Sequence, residues 1–294
     1  MTEEATWYLG PRGALRALPA PEPGVVATLT RHGGVHQAIS GARVMDVTGH
    51  RHEYTLTWNY LEEHEWQWLQ ALHTRLVPGP HFLVNPLRTN RLSVQSSTGK
   101  GVLTAPGAAG GTRSTAPGFM ASNPHWMPVR DWPEGAGPLG SHCIHHPGHT
   151  RGGAHVVRFD YYTGGTPVFA GEALSASIYL KAEDRRPLSL VVDWYDSAGQ
   201  QTGASEVRTI RLTSAWTRWL HKATVPEGTA TAVFALIVPA DPTAFFFAAP
   251  QLQSGPLATS WEIGGGTARV VVDQLQTSSP RYPLTDCSLT LLEA

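Results

Sequence analysis

The sequence predicts a mainly β chain whose two ends together build one β-sandwich with a single helix, while the middle builds an antiparallel sandwich of its own. Three observations carry this. Short segments in which apolar and polar residues alternate with period two recur between Gly and Pro turns. One stretch near residue 60 switches to helical spacing between a capping signal and Pro78-Gly79-Pro80. After Val94 the composition changes abruptly to Ser, Thr, Gly, Ala and Pro through about Gly118, too little apolar content to pack alone.

Taken in order, Trp7-Tyr8-Leu9, Val25 to Leu29 and Ala42 to Val47 read as short strands. In Glu53 to Trp58 the apolar Tyr54, Leu56 and Trp58 alternate with Glu53, Thr55 and Thr57, so one face is buried and the other wet. Asn59 is placed to cap a helix starting near Tyr60, with Glu62 completing a capping-box-like pair and Glu63 and Glu65 near the positive end of the helix dipole. Leu61, Trp68, Leu69, Leu72 and Leu76 then form an apolar stripe until the prolines forbid continuation, and His81 to Val84 follows as a strand.

Beyond the Ser/Gly-rich run, strands are predicted over Ala173 to Leu180, Leu188 to Tyr195, Glu206 to Leu212, Thr217 to Val225 and Thr231 to Val238, a spacing that argues for an antiparallel sandwich. After Gly264-Gly265-Gly266, read like Gly164-Gly165 as turn or hinge glycines, only Ala268 to Leu275 and Ser288 to Leu292 remain, too few strands for a domain. They are expected to complete the N-terminal sandwich, the middle being an insertion at an exposed loop. The alternative is an arm that pairs with a neighbouring subunit. The expected division is 1–98 with 265–294 for the split domain, 99–118 for a linker and 119–264 for the inserted domain.

Composition excludes several functions. Over 294 residues, 22 Lys plus Arg face 23 Asp plus Glu, which gives no electrostatic reason to invoke nucleic acid or an anionic membrane as partner. Cys143 and Cys287 make no disulfide framework and fit a reducing compartment. The acidic Met1-Thr2-Glu3-Glu4 shows no secretory signal, and no apolar run is long enough to span a bilayer.

The densest cluster of possible metal ligands is His142-Cys143-Ile144-His145-His146-Pro147-Gly148-His149, with His155 shortly after. Its spacing matches no zinc signature, Cys143 has no second thiol nearby, and Pro147-Gly148 marks an exposed loop. No metal centre and no cofactor are therefore expected. Nucleophile elbows, Walker loops and dinucleotide fingerprints are absent, and acids such as Asp193 and Asp196 stand before Ser197-Ala198-Gly199, where acids ordinarily serve turns. The chain is not expected to be an enzyme.

Two resemblances sharpen this. "EYTLTWNYLEEHEWQWLQAL", "GPHFLVNPLRTNRLS" and the ending "CSLTLLEA" resemble distal-tail and related minor tail proteins of long-tailed bacteriophages. "LSASIYLKA", "DWYDSAGQ", "TSAWTRWLHKATVPEGTATAVFALIV" and "FFFAAPQLQSG" resemble the jelly roll of carbohydrate-binding modules, over roughly 119–263. The first resemblance implies a structural component of a phage or phage-like tail, located in the virion tail, whose copies form a ring and contact other tail proteins. Arg88, Asn90, Arg91 and Trp66 are the subunit-contact candidates. The second implies an outward antiparallel jelly roll that contacts a host surface glycan, and leaves room for a structural calcium. The alternative reading is a glycan-binding protein or an accessory module of a polysaccharide-degrading system.

For a glycan site the relevant residues are exposed aromatics, because sugar rings present apolar C–H faces. Trp126, Trp132, Tyr161, Tyr162, Trp194, Tyr195, Trp216 and Trp219 crowd the inserted domain, and strand alternation assigns about half of them to the core. The glycan-binding candidates are Trp194, Tyr195, Trp216, Trp219, Tyr161 and Tyr162.

Overall fold

The last strand of the chain lies against the strand that opens the helix. In the computed structural model, which describes residues 6–46, 49–99, 103–106, 112–115, 119–121, 127–129, 131–137, 143–150 and 153–294, Leu284–Glu293 pairs antiparallel with Gly49–Leu61. The register sets Leu56 opposite Leu289, Tyr54 opposite Leu291 and Trp58 opposite Cys287, so alternation on both strands delivers one continuous apolar face. That face, with Leu69 and Leu72 of the helix and Leu9 and Leu83, is the core of the first unit.

Seven strands form its sheet, in the order Arg16–Ala17, Tyr8–Pro11, His81–Val84, Thr267–Arg281, Leu284–Glu293, Gly49–Leu61, Val26–His32. The two C-terminal strands therefore sit in the middle of the sheet. The chain divides into two units, one holding Met1–Pro11, Leu15–Val84 and Ala268–Ala294, the other Arg12–Ala14 and Asn85–Thr267.

The helix starts later than predicted, at Glu63, and ends at His73. Pairing of Gly49–Leu61 consumes the residues expected to cap and start it: Tyr60 takes a left-handed φ of 61°, and its N–H donates to Asp286 Oδ1 at 3.0 Å. The capping box is consequently Glu62 with Glu65, whose carboxylate accepts the Glu62 N–H at 2.8 Å. Leu76 lies past the helix and is exposed. Val26–His32 is a strand, as the sequence reads it, and lies at the edge of the sheet, exposed along its whole length. Its continuation, Val35–Gln37 paired with Arg43–Met45, is an equally exposed two-stranded ribbon.

The second unit is an antiparallel β-sandwich. One sheet runs Phe119–Ala121, His155–Phe159, Thr231–Val238, Pro187–Tyr195, Gln201–Ala204, with Thr166–Pro167 and Arg208–Arg211 attached. The other runs Met127–Val129, Cys143–His146, Phe245–Ser254, Ala173–Ala182, Thr217–Thr224. Leu174, Ile178 and Leu180 from one sheet meet Leu190, Val192, Phe234 and Leu236 from the other in a dry core.

The boundary expected after residue 98 is corrected to Asn85, because buried polar groups bind 85–98 to the sandwich. Asn90 satisfies its whole amide: Nδ2 donates to the carbonyls of Pro250 (3.2 Å) and Glu262 (2.9 Å), and Oδ1 accepts from the N–H groups of Leu92 (3.2 Å) and Leu252 (3.3 Å). Arg91 pairs with Glu172 and donates to Ser254 Oγ (3.1 Å) and the Pro167 carbonyl. Asp160, fully buried, accepts from the Ser93 N–H (2.7 Å), Ser93 Oγ (2.6 Å) and Ser96 Oγ (2.7 Å). Gly264 and Gly266 are close-approach glycines rather than hinges: a Cβ at Gly264 would stand 2.1 Å from the Leu92 carbonyl oxygen, and one at Gly266 2.5 Å from that of Arg88. Within the predicted linker, Leu103–Pro106 pairs with Thr112–Thr115.

His221 is buried with Nε2 2.8 Å from Ser205 Oγ; burial first, then Arg208, hold its imidazole below its ordinary range against Glu206. The folded ring stays neutral where the unfolded chain takes up a proton, so its stabilising contribution is full above about pH 6.5 and is lost as the pH falls below it. His221→Gln removes this term. Urea unfolding at about pH 7.5 and about pH 5.5 should show a smaller acid-induced loss in the variant, by up to about 1.4 kcal/mol per pH unit.

Candidate functional site

At one end of the sandwich two strand exits converge. His155–Phe159 leaves the sheet through Asp160, held at φ 55°, into Tyr161-Tyr162-Thr163-Gly164-Gly165. This turn is closed by Gly164 N–H on the Tyr161 carbonyl (2.9 Å), Gly165 N–H on the Asp160 carbonyl (2.9 Å) and Thr163 Oγ1 on the same carbonyl (2.7 Å). Gly165 has φ 79°, and a Cβ there would stand 3.0 Å from the Ala232 carbonyl oxygen, so only glycine lets the turn lie so close to the neighbouring strand. Pro187–Tyr195 exits beside it into a turn in which Asp196 Oδ1 accepts the N–H groups of Ala198 and Gln200, both at 2.9 Å.

Between these turns lies a cleft of about 290 Å³ lined by Tyr161, Tyr162, Tyr195, Asp196, Ser197 and Val233. The rings of Tyr161 and Tyr195 lie 6.0 Å apart at 65°, and those of Tyr161 and Tyr162 6.0 Å apart at 72°. Beneath them Arg158 Nε donates to Asp193 Oδ2 at 2.8 Å, and the guanidinium sits 5.6 Å over the Tyr161 ring. Burial, then Asp193, push the Tyr195 phenol up, so it stays protonated and able to donate. The nearby carboxylates are engaged structurally, Asp193 by Arg158 and Asp196 by its turn. The cleft therefore offers rings and hydroxyls, with the guanidinium of Arg12, which donates to the Thr163 carbonyl, in its wall, and this suits binding.

Of the six aromatic candidates, the structure brings Tyr161, Tyr162 and Tyr195 together. Trp194 points the other way from Tyr195 along the strand and is buried in the core, and Trp219 packs half-buried against the same core. Trp216 belongs to a separate cluster with Trp132 and Trp261, where its Nε1 donates to Asp131 Oδ1 at 3.3 Å and Lys181 Nζ lies 5.0 Å over its ring. Trp126 and His142 lie outside the described residues. Among the subunit-contact candidates, Asn90 and Arg91 are buried and spend their polar groups inside the second unit, Arg88 Nη1 donates to the Gly264 carbonyl at 3.2 Å, and Trp66 packs half-buried on the first core.

Turns stand at Gly164-Gly165 and at Asp196, where the sequence reads them; what sequence reasoning missed is that the two flank one cleft. It also missed that Cys143 is buried, its thiol pushed up to about 12 by burial and Asp131. His146 is fully buried, next to the exposed Pro147. Among the described residues no helix is long and apolar enough to cross a membrane.

In sequence the chain matches no family model and no curated protein. Among solved structures it is similar to the enzymatically active domain of bacteriophage CBA120 tailspike protein 4, with TM-score 0.38 and 12% identity over 47% of this chain and 19% of that one. It is also similar to the CBM22-1 xylan-binding domain of Paenibacillus barcinonensis Xyn10C, with TM-score 0.35 and 13% identity over 48% and 88%. TmCBM61, solved with β-1,4-galactotriose, gives TM-score 0.33 and 9% identity over 47% and 87%. Overlaps this partial assign neither family nor ligand.

Arg158→Ala would leave the Asp193 carboxylate, 7% exposed, without its cation. The expected cost is about 3 kcal/mol, the low end for breaking a buried pair because Arg158 itself keeps some water contact, read as a drop in the urea midpoint.

Proposed function

We propose that the second unit binds a glycan and that the cleft of Tyr161, Tyr162 and Tyr195 receives it, without turnover. The supporting observation is the arrangement of three tyrosines around one opening, two of them edge-on to Tyr161, in a space near the lower limit for small-molecule sites. A flat ring with a phenol at its rim matches the two-sided chemistry of a sugar: the aromatic face takes the axial C–H surface and the hydroxyl exchanges hydrogen bonds with the sugar's own. Asp196 and Ser197 supply further polar atoms at the margin.

Tyr162 is 68% exposed, so replacing it tests binding without disturbing the core. On a glycan array and then by calorimetry with the best ligand, Tyr162→Ala should weaken affinity at least about tenfold, equivalent to about 1.4 kcal/mol, with the unfolding temperature unchanged. An array with no ligand, or an affinity indifferent to Tyr162, would remove the reading.

A second reading concerns the first unit and is the one the tail resemblance implies: copies of this chain, and other tail proteins, assemble through it in a virion. Its support is the exposed edge strand, with Val26 and Leu29 facing solvent, and the two-stranded ribbon, with Val35, Val44 and Met45 facing solvent. Mass photometry of the purified chain is expected to show closed oligomers that Leu29→Asp with Val44→Asp reduces to monomers; monomers of the unaltered chain at every concentration would refute assembly by this edge.

A further inference from the structure

His146, His149 and His155 are not among the residues lining the tyrosine cleft, yet they converge. His146 ends the strand Cys143–His146 opposite Phe245, His155 starts the strand His155–Phe159 opposite Val238, and His149 bridges to Asp241. All three backbone anchors thus lie on one connector, residues 238–245, between the strands Thr231–Val238 and Phe245–Ser254. The turn at Gly148 is tightly held: its φ is 79°, and a Cβ there would meet the Pro242 carbonyl oxygen at 2.4 Å. As a result, one ring nitrogen from each histidine falls within 4.8 Å of the others.

We propose that these three side chains form a site for a divalent transition-metal ion that prefers imidazole, with zinc as the reference ion and water in the fourth position. Nitrogens bound to one zinc at about 2.0–2.1 Å lie little more than about 3 Å apart, so small side-chain rotations close the site. His149 is already prepared: its Nε2–H donates to the Gly153 carbonyl at 3.3 Å, which leaves the lone pair on Nδ1, the outer-shell arrangement that orients a ligating imidazole. His149 Nδ1 and His155 Nδ1 are both buried and, among the described residues, meet no hydrogen-bond partner. Unfulfilled buried acceptors are costly, and a metal would satisfy two at once.

Two rearrangements follow from the chemistry. His149 and His155 stack with centroids 3.5 Å apart and planes 9° apart, and parallel rings cannot both aim in-plane at one ion, so one of them turns about its side-chain torsions. His146 Nδ1 accepts the Gly148 N–H at 3.0 Å, so the proton of the neutral ring is on Nε2; ligation moves that proton to Nδ1 and gives up this contact, with no net proton released. Arg186 opposes a second cation nearby, and the carboxylate of Asp241, bridged by backbone to His149, offsets it. No thiolate competes, since Cys143 lies in a different cluster, so imidazole-loving Zn²⁺, Ni²⁺ and Cu²⁺ are the candidates rather than thiolate-held clusters.

The test uses the full, untagged chain stripped with chelator and titrated with ZnCl₂ by calorimetry, with Co²⁺ visible absorption as a second readout. The expected result is one ion per chain, a Co²⁺ spectrum of low-coordinate type, and an unfolding temperature that rises with zinc. His149→Gln and His155→Gln should each weaken zinc at least tenfold while unfolding, metal-free, within a few degrees of the parent; His36→Gln, on the exposed ribbon, should change nothing. Saturation by Ni²⁺ or Cu²⁺ alone, with the same dependence on His149 and His155, would support the site with a different ion. Absence of binding by all three ions, or binding that is indifferent to both variants, would overturn it.

Discussion

The pairing of Leu284–Glu293 with Gly49–Leu61 is the constraint on which the first unit rests. Each strand alone buries one face of alternating residues, and only their register, Leu56 on Leu289 and Tyr54 on Leu291, joins the faces into a surface wide enough for the helix to cover. Because the pairing joins the start of the chain to its end, the intervening segment must leave the sheet and return to it. His81–Val84 and Thr267–Arg281 are neighbours in that sheet, and the chain enters and leaves the second unit directly from them.

Long alternating segments were legible in the sequence because burial enforces period two wherever a strand has a covered face. Ala173–Ala182, Pro187–Tyr195, Thr217–Thr224 and Thr231–Val238 fall within a residue or two of expectation. The helix start was misplaced because Asn59 and Glu62 satisfy a local capping rule, whereas the tertiary pairing of Leu61 with Thr285 extends the strand past them. Val26–His32 has a strand sequence and is a strand; that it lies uncovered depends on the absence of a facing layer, which no local pattern encodes.

The site was half legible for a related reason. Alternation separates Trp194 from Tyr195 but does not say which side of the strand faces the core; Trp194 joined the core, and Tyr195, also buried, went to the wall of the cleft. Asn90 and Arg91 read as exposed polar residues in a proline-containing loop, and only the closure of Gly264 and Gly266 over that loop converts them into buried struts. Histidines separated by glycine and proline show no ligand spacing in one dimension, since their proximity is set by pairing to a connector some ninety residues further on.

The hydrogen bond from Asn85 N–H to the Gly266 carbonyl, at 2.8 Å, marks where the second unit begins and ends. A module whose two termini sit side by side can be exchanged for another by a single genetic replacement, the flanking scaffold needing no change in reach or direction at the junction. Lineages carrying this chain would then be free to change the middle while conserving the frame that holds it.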